Sequence, residues 1–103
     1  MGKNNSYKIL ISTEIESFLK DLPEWKYEDN SLKSSFILPD FETSIEVINE
    51  VAKVATKMDH HPRLTNTYNQ LEFSLCTHSV GDKVTSYDLA LAKAVSDIVA
   101  GHK

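Results

Sequence analysis

Three of the chain's four histidines, His60, His61 and His78, stand where the secondary-structure signals change. Imidazole is the side chain best suited to moving protons near neutral pH. His60 and His61 lie in the step Asp59-His60-His61-Pro62, and Pro62 disfavours helical geometry at His61, so the pair marks a helix exit leading into a strand. Unperturbed imidazole titrates at about pH 6.5, so a cluster can hold one neutral and one protonated ring together. Such a pair supplies a base and an acid at once, which is what elimination of water needs. Asp59 and Asp88 are candidates to orient a ring or to bind a polar substrate.

Convergence of the three rings is an expectation from hairpin register. Residues 63–68 and 71–78 read as two strands around a turn near Asn69-Gln70, which puts position 78 opposite about 61 or 62. A lone histidine at a strand end is usually structural or merely exposed; three that converge fit that reading less well. Zinc is the chemical rival, with His60, His61, His78 and Asp59 as ligands. Adjacent histidines diverge in an extended chain, however, and neither HExxH nor H-x3-H spacing occurs, so the expectation is no metal. Cys76 shares the His78 face of its strand but has no evident positive neighbour to lower its pKa, which makes it a bystander rather than a nucleophile. A Gly-rich phosphate loop, a GxSxG elbow and a nucleotide fingerprint are all absent.

The elements that must hold these residues follow from periodicity. Thr13-Glu14-Ile15-Glu16 reads as a capping box opening a helix over about 13–21, with Ile15, Phe18 and Leu19 as its apolar face and Pro23 as its stop. Trp25-Lys26-Tyr27-Glu28 alternates like a half-buried strand, Asp29-Asn30-Ser31 is turn chemistry, and Leu32 to Leu38 is extended again. Asp40 is a good N-cap for a helix over about 41–57, whose stripe Phe41, Ile45, Ile48, Ala52 and Ala55 should lie on a sheet. In the strand over 71–78, Leu71, Phe73 and Leu75 face one way, and Glu72, Ser74, Cys76 and His78 the other. Thr85-x-x-Asp88 opens a final helix carrying Leu89, Ala92, Val95 and Val99. Trp25, Phe36, Phe41 and Phe73 read as core. The order α-β-β-α-β-β-α implies a two-layer α+β fold, an antiparallel four-stranded sheet with helices packed on one face.

Composition narrows the class. The 103 residues fit a single domain over 1–103, with 1–12 as a flexible tail, and 41% apolar against 25% charged residues is a globular balance. The net charge of −4, without any basic run, argues against direct nucleic-acid binding. Cys76 is the only cysteine, which rules out an intrachain disulfide and suits a reducing cytosol. No stretch is long and apolar enough to span a bilayer, and the N-terminus lacks the apolar core of a secretory signal. Gly2 and Ser6 match a loose myristoylation pattern of a kind that recurs by chance.

Taken together, Lys57-Met58-Asp59-His60-His61-Pro62, Tyr68-Asn69, Thr77-His78 and Asp88-Leu89-Ala90 strongly resemble the pterin-4a-carbinolamine dehydratases. Five residues separate Pro62 from Tyr68 and nine separate Tyr68 from His78, as in that family, and the likeness runs upstream through Trp25, Leu32, Phe36 and Phe41 to cover roughly residues 13–100. The resemblance implies dehydration of 4a-hydroxytetrahydrobiopterin to quinonoid dihydrobiopterin in pterin recycling, in the cytoplasm and without a metal or organic cofactor. It implies that His60 and His78 exchange protons, that His61 mainly holds the substrate, and that Asp59, Cys76, Thr77, Ser79 and Asp88 line the pterin site. It also implies a homotetramer built as a dimer of dimers. The alternative it carries is an interaction protein, a dimerisation cofactor of a transcription factor. Three departures bear on pocket shape. Thr56 stands where a charged residue is usual, Leu64 and Thr65 replace an aromatic pair, and the loop after His78 reads Gly81-Asp82-Lys83-Val84-Thr85.

Overall fold

Two hairpins form around two-residue turns. A computed structural model describes residues 8–103, so the Gly2 and Ser6 pattern and most of the expected tail lie outside the described residues. The element order is α1 (Ser12–Leu19), β1 (Trp25–Glu28), β2 (Ser31–Ile37), α2 (Phe41–Met58), β3 (Arg63–Thr67), β4 (Gln70–Leu75) and α3 (Ser86–Ala100), with a 3-10 turn at His78–Val80 before α3. Asp29 and Asn30, at φ 54° and 60°, are left-handed at both central positions of the β1–β2 turn, the geometry that matches the natural twist of a hairpin. β1 and β3 are the edges of an antiparallel sheet ordered β1-β2-β4-β3. This is the expected α+β architecture.

Alternation along the strands separates two faces. Trp25, Leu32, Phe36, Leu71, Phe73 and Leu75 point to the helices and join Ile15, Val47, Val51, Leu91, Val95 and Val99 in one core cluster. Trp25, Phe36 and Phe73 contact one another with ring centroids 6.2–6.3 Å apart. The Trp25 indole N–H donates to Ser96 Oγ at 2.8 Å, which ties the sheet to α3. The opposite sheet face carries Lys26, Lys33, Arg63, Thr65, Glu72 and Ser74 around an open groove of about 630 Å³.

Three local expectations are corrected. First, α1 begins at Ser12, not Thr13, and its cap does not use Thr13 and Glu16: the Ile11 N–H donates to Glu14 Oε1 at 3.1 Å. The entering chain is set by pairing further on, since Leu10 N–H reaches Val84 O at 3.2 Å and Ser86 N–H reaches Lys8 O at 2.9 Å. The Ile11 N–H and Lys8 hold the Glu14 carboxyl below its ordinary value.

Second, α2 turns a different row inward. Asp40 caps it as expected, accepting from Thr43 N–H at 2.8 Å, which also lowers the Asp40 carboxyl. The buried row is Ser44, Val47, Val51 and Ala55; Phe41 and Ile45 remain 45% and 36% exposed and Ala52 is exposed too, leaving Ala55 and half-buried Ile48 as the correct part of the expected stripe. The helix carries two adjacent apolar rows, and packing selects the smaller side chains for the inner one.

Third, β4 stops at Leu75 and the second turn is Tyr68-Asn69, with Tyr68 at φ 53°. Arg63 pairs with Ser74, a register that would place position 61 opposite 76 rather than 78. Thr77 leaves the ladder to bridge Lys83, so His78 opens the 3-10 turn and is not a strand residue.

Core substitutions test this layering by denaturant titration. Leu32 is fully buried, and Leu32→Ala is expected to cost about 2–5 kcal/mol. Ser34 is 8% exposed and, among the described residues, its Oγ has no hydrogen-bond partner. Ser34→Ala removes a dehydrated hydroxyl and is expected to leave stability unchanged or raise it by about 1 kcal/mol. A loss of similar size would show that the hydroxyl is satisfied in solution.

Candidate active site

The end of α2 delivers the His60-His61 pair. Asp59 adopts the left-handed conformation at φ 53°, with its N–H on Thr56 O at 3.1 Å, and the His60 N–H closes on Ala55 O at 3.0 Å. These are the two bonds of a Schellman termination, with aspartate where glycine is usual. The reversal turns the His60 ring inward, where it is 7% exposed, and leaves Asp59 and His61 exposed.

What meets His60 inside is Asp88. His60 Nε2 lies 2.6 Å from Asp88 Oδ1, and the carboxylate is fully buried. Its other oxygen, Oδ2, accepts the Thr85 backbone N–H at 2.8 Å, closing the capping box of α3, and the Thr77 hydroxyl at 2.8 Å. Thr77 Oγ1 is also 2.7 Å from Thr85 Oγ1, and both threonines are buried. The Tyr87 ring meets the His60 ring edge-on, centroids 5.6 Å apart. Asp88 therefore joins the end of α2 to the segment following β4, with the start of α3 clamped between them.

His78 follows Thr77 directly, so its backbone is one peptide from this junction. Its ring is open to solvent and Nδ1 lies 2.8 Å from Asp82 Oδ1. The three histidines thus occupy two chain segments linked through Asp88, one ring buried and two exposed. Ser79 is exposed. Cys76 is half-buried with Sγ 4.0 Å from Asp82 Oδ1; burial pushes the thiol up, Asp82 and Asp88 add to that, and Ser31 and Arg63 oppose it. Arg63 is a positive neighbour that the sequence did not reveal, but burial outweighs it and leaves little thiolate at neutral pH.

Among the described residues no group of three His, Cys, Asp or Glu side chains is arranged to hold a metal ion. The open groove on the far sheet face contains none of the histidines, and Arg63 is its nearest lining residue in sequence to His61. Thr85 and Tyr87 escaped the sequence reading as parts of the site. The Thr85-x-x-Asp88 spacing was visible, but it signals a helix start, and that its carboxylate also serves His60 depends on a contact 28 residues distant.

Known proteins resemble this chain over most of its length. A family model described as pterin 4 alpha carbinolamine dehydratase matches residues 8–98. A protein of Sulfolobus acidocaldarius, provisionally named a pterin-4-alpha-carbinolamine dehydratase, is 39% identical over 89 residues, covering 86% of this chain and 97% of its own. One of Christiangramia forsetii with the same provisional name is 39% identical over 90 residues, 87% of this chain and 92% of its own. The crystal structure of a transcriptional coactivator/pterin dehydratase from Brucella melitensis superposes with a TM-score of 0.85 at 32% identity, covering 89% of this chain and 99% of that one. Matched over nearly its whole described length, the chain belongs to the pterin-4a-carbinolamine dehydratase family.

Proposed function

We propose that this protein is a cytoplasmic dehydratase that eliminates water from 4a-hydroxytetrahydrobiopterin to give quinonoid dihydrobiopterin, in pterin recycling, by histidine general acid–base catalysis. The observation that carries this reading is the buried His60 ring held by Asp88 at 2.6 Å, with the exposed His61 next to it in the chain and the exposed His78 directly after Thr77, which donates to the same carboxylate. In the reaction the C4a–O bond breaks. The hydroxyl leaves as water with a proton from one imidazolium, and a ring N–H proton passes to the other imidazole. The electron pair of that N–H bond becomes the new C=N bond, so no oxidant, metal or cofactor is required. His60 and His78 exchange the protons and His61 holds the ring. Asp59, Cys76 and Ser79 contact the pterin, and Thr77 and Asp88 belong to the site from behind.

The outward row of α2 supports assembly. Phe41 and Ile45 with Ala52 form an apolar strip on an otherwise charged helix, and a second copy of this chain is the occupant that would bury it in a homotetramer, a dimer of dimers. The same strip favours the second reading, a dimerisation cofactor of a transcription factor, in keeping with the coactivator name of the Brucella melitensis protein.

Steady-state kinetics on the His→Ala variants test the division of labour. His60→Ala and His78→Ala are each expected to lower kcat by roughly 10²–10⁴-fold. His61→Ala is expected to raise KM more than it lowers kcat, the pattern of lost uniform binding. Near-normal turnover in both His60→Ala and His78→Ala would defeat the mechanism.

Strong chelators are expected to leave turnover unchanged. Stoichiometric zinc whose removal abolishes activity would replace acid–base chemistry by Lewis-acid catalysis.

Light scattering at micromolar concentration is expected to give a tetramer for the native chain and smaller species for Ile45→Glu, with unchanged far-ultraviolet circular dichroism. A stable native monomer would contradict the assembly.

A further inference from the structure

The hydrogen bonds behind His60 can run in one direction only. An ionised carboxylate accepts and never donates, so the hydroxyl hydrogen of Thr77, 2.8 Å from Asp88 Oδ2, belongs to that contact. A threonine has one such hydrogen. The 2.7 Å contact between Thr77 Oγ1 and Thr85 Oγ1 is therefore donated by Thr85. Thr85 Oγ1 in turn accepts the Tyr87 backbone N–H at 3.2 Å. The order is Tyr87 N–H to Thr85, Thr85 to Thr77, Thr77 to Asp88. The same rule at the far oxygen requires His60 Nε2 to carry the hydrogen of the 2.6 Å contact. In the neutral ring that leaves Nδ1 as the one nitrogen with a free lone pair.

We propose that Thr85 and Thr77 form a positioning relay that, through Asp88, fixes His60 as the Nε2–H tautomer and reserves Nδ1 for proton exchange. Thr77 is 4% exposed and its hydroxyl is already committed, so its part is played behind the ring, not against the pterin. Without Thr77's hydroxyl, Asp88 Oδ2 keeps only the Thr85 backbone N–H, and the carboxylate is free to rotate away from the histidine. Along Thr85 to Thr77 to Asp88 the donors are aligned and polarise one another, so losing the Thr85 hydroxyl loosens Thr77's hold on Oδ2. The catalytic part of this proposal rests on the dehydratase reading; the tautomer does not.

The test is long-range ¹H–¹⁵N correlation of the His60 ring in its neutral form, alongside dehydratase kinetics, for the native chain, Thr77→Val, Thr77→Ser, Thr85→Val and Thr85→Ser. The native ring is expected to show a protonated Nε2 and a bare Nδ1. Thr77→Val and Thr85→Val should give mixed tautomers and lower kcat roughly 10-fold, the low end for outer-shell partners of a functional histidine, with KM within about twofold. The serine variants, which keep the hydroxyls, should return to native values. Thr85→Val also removes the cap of α3; if it unfolds, the native spectrum and the Thr77 pair still decide. A native ring protonated at Nδ1, or a Thr77→Val protein with native spectrum and kcat, overturns the relay. A rise in KM with unchanged kcat in Thr77→Val overturns it in favour of direct substrate contact. Native protein that dehydrates no pterin yet shows the expected spectra sinks the dehydratase reading and leaves the relay standing.

Discussion

A carboxylate removed entirely from water persists only where both of its oxygens meet donors, because an unpaired buried charge is destabilising by several kcal/mol. Asp88 meets that condition with three contacts drawn from three parts of the chain: the ring after α2, the hydroxyl after β4 and the backbone at the start of α3. The β3–β4 pairing already brings the first two together, since the register that sets Arg63 opposite Ser74 carries 60 opposite 77. The carboxylate fastens the start of α3 to both, and the apolar core supplies the enclosure that makes the contacts strong. Helix capping and ring orientation are one act here, since Oδ2 caps α3 while Oδ1 holds His60.

That arrangement depends on the N-terminal segment as well. Lys8 to Leu10 pairs with Val84 to Ser86, on either side of the threonine that caps α3, and the Lys8 N–H reaches Ser86 Oγ at 2.9 Å. The segment that leads into α1 is therefore a brace for the loop carrying Thr85. Its pairing also explains why α1 starts where it does: the extended geometry at Ile11, φ −90° and ψ 163°, continues the bridge and leaves Glu14 three residues on to take the Ile11 N–H.

Much of this was legible in the sequence, and what was not has a common cause. Strand alternation, Asp40, the Asp29-Asn30-Ser31 turn and the Thr85-x-x-Asp88 start are short-range signals, and all of them describe the structure, except that Ser31 already opens β2. Asp59 and Asp88 were equal candidates to orient a ring or to bind a polar substrate, and it is Asp88 that meets His60. The failures are choices between near-equivalent local solutions. α2 has two apolar rows, and periodicity alone does not say whether Val47 and Val51 or Phe41 and Ile45 face the sheet. Glu16 follows Thr13 by three residues, whereas Glu14 follows Ile11, which has no side-chain acceptor; the long-range bridge that starts the helix at Ser12 is what turns the Ile11 N–H to Glu14. Extending β4 to residue 78 assumed that alternation continues, whereas Thr77 is drawn out of the ladder by its bonds to Asp88 and Thr85.

The departure of Thr77 from the strand has a chemical consequence. Had β4 continued, His78 would sit on a rigid ladder with its ring held normal to the sheet. Instead it begins a short 3-10 turn closed by Gly81 at φ 80°, a left-handed position that glycine occupies without strain, and its ring stays in solvent near Asp82. The site therefore combines one imidazole whose rotation is blocked by burial and a carboxylate with two that stand in solvent, His78 held only by exposed Asp82. For the proposed elimination those are complementary properties. The buried ring keeps one nitrogen pre-aimed, which lowers the entropy lost on reaching the reactive geometry. The exposed rings can adjust to a planar bicyclic substrate as it arrives, and exchange their protons with water once the product has left.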